Sequence, residues 1–174
     1  MNEHDRAMEF ARINRELIAY RILQAMGPKE NKKLLDSVHN SITPKEIDGA
    51  IYHIHRKGAT PSDVGCVVVA GSRGSNSYIV KPKDALMEYN YSIAHGAGRK
   101  WSRVGCKERL ENIYSKKCVR QNKISSNLIF SDKNVIYEEA PEAYKNIERV
   151  IEDMLEEGII ELVASLKPLI TYKV

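Results

Sequence analysis

One run constrains the fold more than any other stretch of the chain: Ser92-Ile93-Ala94-His95-Gly96-Ala97-Gly98-Arg99-Lys100-Trp101-Ser102-Arg103. A single imidazole is followed by three residues with little or no side chain, then by concentrated positive charge. Small residues let the backbone approach a neighbour or a bound group closely, and glycine accepts the dihedrals of a tight strand-to-helix turn. Backbone N–H groups at such a helix start, with Arg99, Lys100 and Arg103 behind them, make a phosphate cradle. A neutral His95 there keeps a lone pair at pH 7 and can act as a nucleophile toward phosphorus. On these residues alone, a histidine capping a turn beside a basic surface helix fits equally well.

The 174 residues, 43% hydrophobic and 29% charged, fit one globular domain over 1–174, large enough to bury a sizeable core. No apolar run approaches the roughly 18 residues of a membrane span. Met1-Asn2-Glu3-His4-Asp5 lacks the basic region and apolar core of a secretory leader. Cys66, Cys106 and Cys118 lie far apart without a Cys-x-x-Cys pair, so neither a disulfide framework nor a zinc knuckle is expected. Reduced cysteines in a cytoplasmic protein are the expectation. The net charge of +4 is modest, but its distribution is uneven. Arg99, Lys100, Arg103, Lys107, Arg109, Lys116, Lys117, Arg120 and Lys123 face only Glu108 and Glu111 within residues 99–123. A basic stretch that begins at the histidine run suits a polyanionic substrate, and a solvated helix face would show the same pattern.

Along the chain, apolar spacing predicts a helix over 4–26, stopped by Gly27-Pro28. Strands are expected over 33–39, 49–55, 67–70, 78–80, 127–130, 159–163 and 169–172, with a turn at Thr43-Pro44. Further helices are expected over 107–115 and 142–155. The fold class that follows is α+β, with short strands in mixed sheets and helices packed between them. His53 and His55 share one face of a strand, where a metal is geometrically possible, although surface histidines are the commoner reading.

The histidine run, preceded by Gly71-Ser72-Arg73-Gly74-Ser75-Asn76-Ser77-Tyr78, resembles the C-terminal part of the RtcB family of RNA ligases. Further blocks follow the family's order: Asp36-Ser37-Val38-His39-Asn40, His55-Arg56-Lys57-Gly58-Ala59-Thr60, Glu138-Glu139-Ala140-Pro141-Glu142-Ala143-Tyr144-Lys145 and Lys167-Pro168-Leu169-Ile170-Thr171-Tyr172-Lys173. Arg99-Lys100-Trp101 and the Thr-Tyr-Lys ending are most similar to the bacterial branch coupled to release factor H. That branch would imply repair of cleaved ribosomal RNA.

The resemblance implies joining of an RNA 3′-phosphate or 2′,3′-cyclic phosphate to a 5′-hydroxyl, with GTP consumed and manganese (Mn2+) required. By position, His95 would form a histidine–guanylate. Ser72, Ser77, Tyr144 and Lys173 would hold the guanylate, with Gly96, Ala97 and Gly98 as backbone beside the ribose. Lys57, Arg99 and Arg103 would meet RNA phosphates, and His39 would be a metal ligand. Family members often carry Met where this chain has Arg73. The family's N-terminal half, which adds an acidic residue, a cysteine, two histidines and an asparagine to the site, has no counterpart in these residues. One manganese-binding histidine cannot hold a catalytic ion alone. The expected partners are RNA, GTP and a separate N-terminal ligase half, with no membrane. A non-catalytic GTP- or RNA-binding remnant is the alternative.

Overall fold

A computed structural model describes residues 2–83, 86–111, 127–132 and 134–173. In chain order the elements begin with α1 (Asn2–Met26), β1 (Asn40–Ile47), β2 (Ala50–Lys57), β3 (Ala59–Pro61), β4 (Val67–Val69) and β5 (Ser77–Pro82). Then follow β6 (Ser92–Ala94), α2 (Arg103–Glu111), β7 (Asn127–Phe130) and α3 (Val135–Glu138). The order closes with α4 (Ile147–Glu156), β8 (Ile160–Leu166) and β9 (Ile170–Lys173). Short strands interleaved with helices make the expected mixed α+β fold.

Helix α1 stops where the sequence says it should. Gly27 takes φ +62° and returns its N–H to the Leu23 carbonyl at 2.9 Å, the left-handed cap that glycine permits. The strand expected over 33–39 does not form. Charge pairing with α1 holds this segment instead: Arg15 binds Asp36 through two bonds of 2.8 and 3.0 Å, and Lys33 reaches Glu16 at 2.6 Å. Thr43-Pro44 is likewise no turn. Both lie within β1, with Pro44 opposite His53, which a two-stranded hairpin tolerates because Pro forfeits no second ladder. The reversal falls at Asp48-Gly49, φ +51° and +78°, the positive pair that a tight hairpin turn requires.

Strands β4, β5 and β8 form an antiparallel sheet. Helix α4 lays Ile147, Ile151 and Met154 on it, against Val67, Val69, Tyr78 and Val80. A second cluster gathers Cys106 and Leu110 of α2, Ile136 and Tyr137 of α3, and Ala140 and Ala143. Tyr144 touches both clusters from their margin.

Helix α4 is shorter than expected. Pro141–Ala143 form a separate 3-10 turn, Tyr144 is extended, and Asn146 caps the helix by accepting the Arg149 N–H at 3.3 Å. Helix α2 starts four residues earlier than expected, and residues 112–115 lie outside the described residues.

Candidate active site

The histidine run becomes the middle of three chain segments. Behind it, β3 pairs β6 antiparallel with Ala59 opposite Ala94, so the register brings Gly58 next to His95. The Gly58 carbonyl accepts a bond from His95 Nδ1 at 2.6 Å. A carbonyl can only accept, so the proton sits on Nδ1 and the Nε2 lone pair is free. Gly58 holds φ +76° and gives its own N–H to the His39 carbonyl at 2.9 Å. The His39 and His95 rings stack, centroids 4.7 Å apart and 15° from parallel. Partial desolvation, the neighbouring His95 and the Arg15 charge push His39 below the ordinary imidazole range, which favours the neutral, ligand-competent ring.

On one flank lies the serine loop. Ala70 N–H donates to the His95 carbonyl and Ala97 N–H to the Ala70 carbonyl, both at 2.9 Å. The approach is close enough that a Cβ on Gly96 would lie 2.7 Å from the Ala70 oxygen. Beyond it, Ser77 Oγ accepts Gly71 N–H at 3.1 Å, Ser72 Oγ accepts Gly74 N–H at 3.2 Å, and Ser75 Oγ accepts Ser72 N–H at 2.7 Å. The serines build their own loop and keep oxygen capacity to spare. Arg73 is buried, its Nε donating to the Glu139 carbonyl at 2.9 Å.

On the other flank, Lys145 N–H bonds the Gly98 carbonyl at 3.0 Å and Lys100 N–H bonds the Ala143 carbonyl at 2.7 Å. This zipper puts Tyr144 opposite Arg99. The Arg99 guanidinium is turned inward. It donates to the Tyr144 hydroxyl at 3.0 Å, the Glu138 carbonyl at 2.7 Å and the Trp101 carbonyl at 3.1 Å. Expected to face RNA, it is seen here as a strut. Tyr144 in turn donates to Glu139 Oε2, and Lys173 donates to Glu139 Oε1 at 2.7 Å. Burial, then the bond to and charge of Glu139, push the Tyr144 phenol up to about 12, against the Arg99 contribution. Burial alone would raise Glu139, but Lys173, Tyr144 and Arg99 hold it below the ordinary carboxylate range.

The remaining expected residues are exposed. Lys57 is exposed one residue before Gly58. The Arg103 side chain, 62% exposed, stands 3.9 Å from Glu138 and 4.0 Å from Glu139. His53 and His55 are exposed on β2. Among the described residues no three of His, Cys, Asp and Glu converge as a metal site. Among the described residues His39 therefore stands as a single expected donor, fewer than a divalent manganese takes.

The tRNA-splicing ligase RtcB family description matches residues 1–174, the whole chain. The chain belongs to the RtcB family. It is 45% identical over 171 residues to RNA-splicing ligase RtcB2 of Escherichia coli, covering 98% of this chain and 45% of that protein. It is 34% identical to RNA-splicing ligase RtcB homolog 1 of Entamoeba dispar, over 94% of this chain and 35% of the relative. The tRNA-splicing ligase RtcB of Methanococcus maripaludis is also 34% identical, over 92% of this chain and 38% of its own. The chain thus spans less than half the length of these RtcB relatives.

Within this RtcB chain the structure brings His95, His39, Gly58 and the serine loop together, and joins Tyr144 to Lys173 through Glu139. Glu139 is the residue that sequence reasoning passed over. It lies within Glu138-Glu139-Ala140-Pro141, but its partner Lys173 is 34 residues away, and no local spacing announces such a contact.

Proposed function

We propose that this chain carries the nucleotide-handling part of an RNA ligase that joins RNA 3′-phosphate or 2′,3′-cyclic phosphate ends to 5′-hydroxyl ends. The observation that carries this reading is the Nδ1–H bond from His95 to the Gly58 carbonyl, which leaves Nε2 as the nucleophile. The Nε2 lone pair attacks the α-phosphorus of GTP, the bond to the bridging oxygen breaks, and pyrophosphate leaves. The ring becomes cationic as the bond forms, and the Gly58 carbonyl stabilises the Nδ1 proton. The guanylate then passes to an RNA 3′-phosphate, and the 5′-hydroxyl attacks that phosphorus with release of GMP. Ser72, Ser77, Tyr144 and Lys173 would hold the guanine, and the backbone of Gly96, Ala97 and Gly98 would lie along the ribose. Lys57 and Arg103, both exposed, would take RNA phosphates, with Arg99 shaping the pocket wall.

The donor set favours a ligase completed by ligands from outside these residues. His39 would supply one manganese donor, and an N-terminal segment like the rest of the longer relatives would supply the others. Arg99-Lys100-Trp101 and Thr171-Tyr172-Lys173 support a place in the bacterial branch coupled to release factor H, and the scattered cysteines, with no Cys-x-x-Cys pair, suit a cytoplasmic role. Among the described residues no helix is long and apolar enough to cross a membrane.

The test is incubation with α-labelled GTP and manganese, alone and with an added N-terminal half, using His95→Ala as control. Acid-labile, alkali-stable label on the protein that vanishes in the variant is expected. Absence of label under both conditions would leave a non-catalytic remnant as the better account.

A further inference from the structure

Glu139 gathers more of the site than any residue the motifs single out. Its side chain is 19% exposed, and each oxygen is engaged: Oε1 by Lys173 Nζ at 2.7 Å, Oε2 by the Tyr144 hydroxyl. Its carbonyl takes Arg73 Nε from the serine loop at 2.9 Å, while the carbonyl before it takes Arg99 from the histidine loop at 2.7 Å. Arg73 and Arg99 thus cap the C-terminal end of α3, where carbonyls lack helical partners and cations are favoured. The peptide that they fix carries the carboxylate between Lys173 and Tyr144. A half-buried carboxylate is costly unless its charge is met. Here Lys173 meets it directly and Arg99 meets it through the Tyr144 hydroxyl.

We propose that Glu139 is a positioning residue for base selection, which holds Lys173 where it admits guanine and rejects adenine. The inference rests on the nucleotide reading above. An ammonium donates three hydrogen bonds and accepts none. With one bond committed to Glu139, two remain for a base. Guanine presents the acceptors O6 and N7 on one edge, whereas adenine replaces O6 by an amino donor. An amino group facing a fixed ammonium is left unpaired, and sites built to hydrogen-bond a given group reject analogues that lack it. A lysine without its anchor on Glu139 would swing on a flexible four-carbon stem and lose this discrimination. Tyr144 is committed too, donating to Glu139 and accepting from Arg99, so its ring rather than its hydroxyl is offered to a base.

The experiment is equilibrium binding of GTP and ATP to the wild-type chain, Glu139→Gln, Lys173→Ala and the double variant, with thermal unfolding as the check on folding. Expected is a preference of the wild type for GTP. Glu139→Gln should lose at least about tenfold in GTP affinity, with ATP affinity little changed. In the double variant the loss should not exceed that of Lys173→Ala alone, because Glu139 acts through Lys173. Should Glu139→Gln unfold, Glu139→Asp serves in its place, the shorter carboxylate giving a smaller loss of the same kind. GTP selectivity unchanged in the variants, or losses that add in the double variant, would overturn the proposal while sparing the nucleotide reading. Failure of the wild type to prefer GTP both alone and with an added N-terminal half would overturn that reading, and Glu139's role with it.

Discussion

Glu139 and Tyr144 share a hydrogen bond yet have their pKa values moved apart, and the two directions set opposite limits on stability. Glu139 is held below the ordinary carboxylate range, so its contribution is present above that range and fades as pH falls through its lowered folded value. Tyr144 is raised from 10 to about 12. Its contribution is intact below the unfolded phenol value and is lost as pH rises through about 12. In Glu139→Gln the acid limb of a thermal-unfolding profile should shrink, and the Tyr144 phenol should titrate closer to its ordinary value. A tyrosine-selective carbon NMR titration reads the second effect; an unmoved Tyr144 resonance would remove Glu139 from the list of causes. Gly58 is a second single-residue test. Its φ of +76° strains any L side chain by about 1–2 kcal/mol, so Gly58→Ala should destabilise by that order in urea unfolding and also disturb the His95 Nδ1 bond, visible in imidazole nitrogen shifts.

At the level of elements, the close approach of the serine and histidine loops and the seat of α4 are separable. A Cβ on Gly96 meets the Ala70 backbone oxygen, which cannot yield as a side-chain tip could. Gly96→Ala is therefore expected to cost about 1–3 kcal/mol of overpacking and to abolish histidine labelling by spreading the loops. Ile147→Ala, at a site 1% exposed, should cost about 2–5 kcal/mol in urea unfolding while the folded protein still takes label. Elements governed by local rules were readable: the stop at Gly27, the buried strand Val67–Val69, and the apolar stripe of α4. Where tertiary charge pairing ruled, reading failed, as at residues 33–39, whose Asp36 is claimed by Arg15 of α1. The reversal was expected at Thr43-Pro44, although the Asp48-Gly49 pair that makes it carries ordinary hairpin-turn chemistry. The histidine run stood out by its small residues and the charge that follows it, whereas the serine loop was found through the family resemblance, since turns share its composition. Arg73 could be placed by neither, because its partner is a carbonyl 66 residues away.

Across the whole molecule, α1 differs from the other described α-helices, each of which buries at least two residues. None of its described residues is buried, and Phe10, Ile13, Leu17, Ile18, Tyr20, Ile22 and Met26 are exposed. Helices draw most of their stability from burying an apolar face, so α1 in this chain leans on the ion pairs around Arg12, Arg15 and Lys33. Amide exchange should accordingly be far faster in α1 than in β5, and adding an N-terminal half should slow it. Protection of α1 equal to that of β5 in the chain alone would show the helix already has its cover. The parallel pairing of β9 with β7 carries a different consequence, one of timing. Lys173 reaches Glu139 from a strand made after every other described element, so during synthesis Glu139 stays without its lysine until β9 has cleared the ribosome. A nascent chain stalled before that point would hold His95 without the lysine proposed to choose its nucleotide.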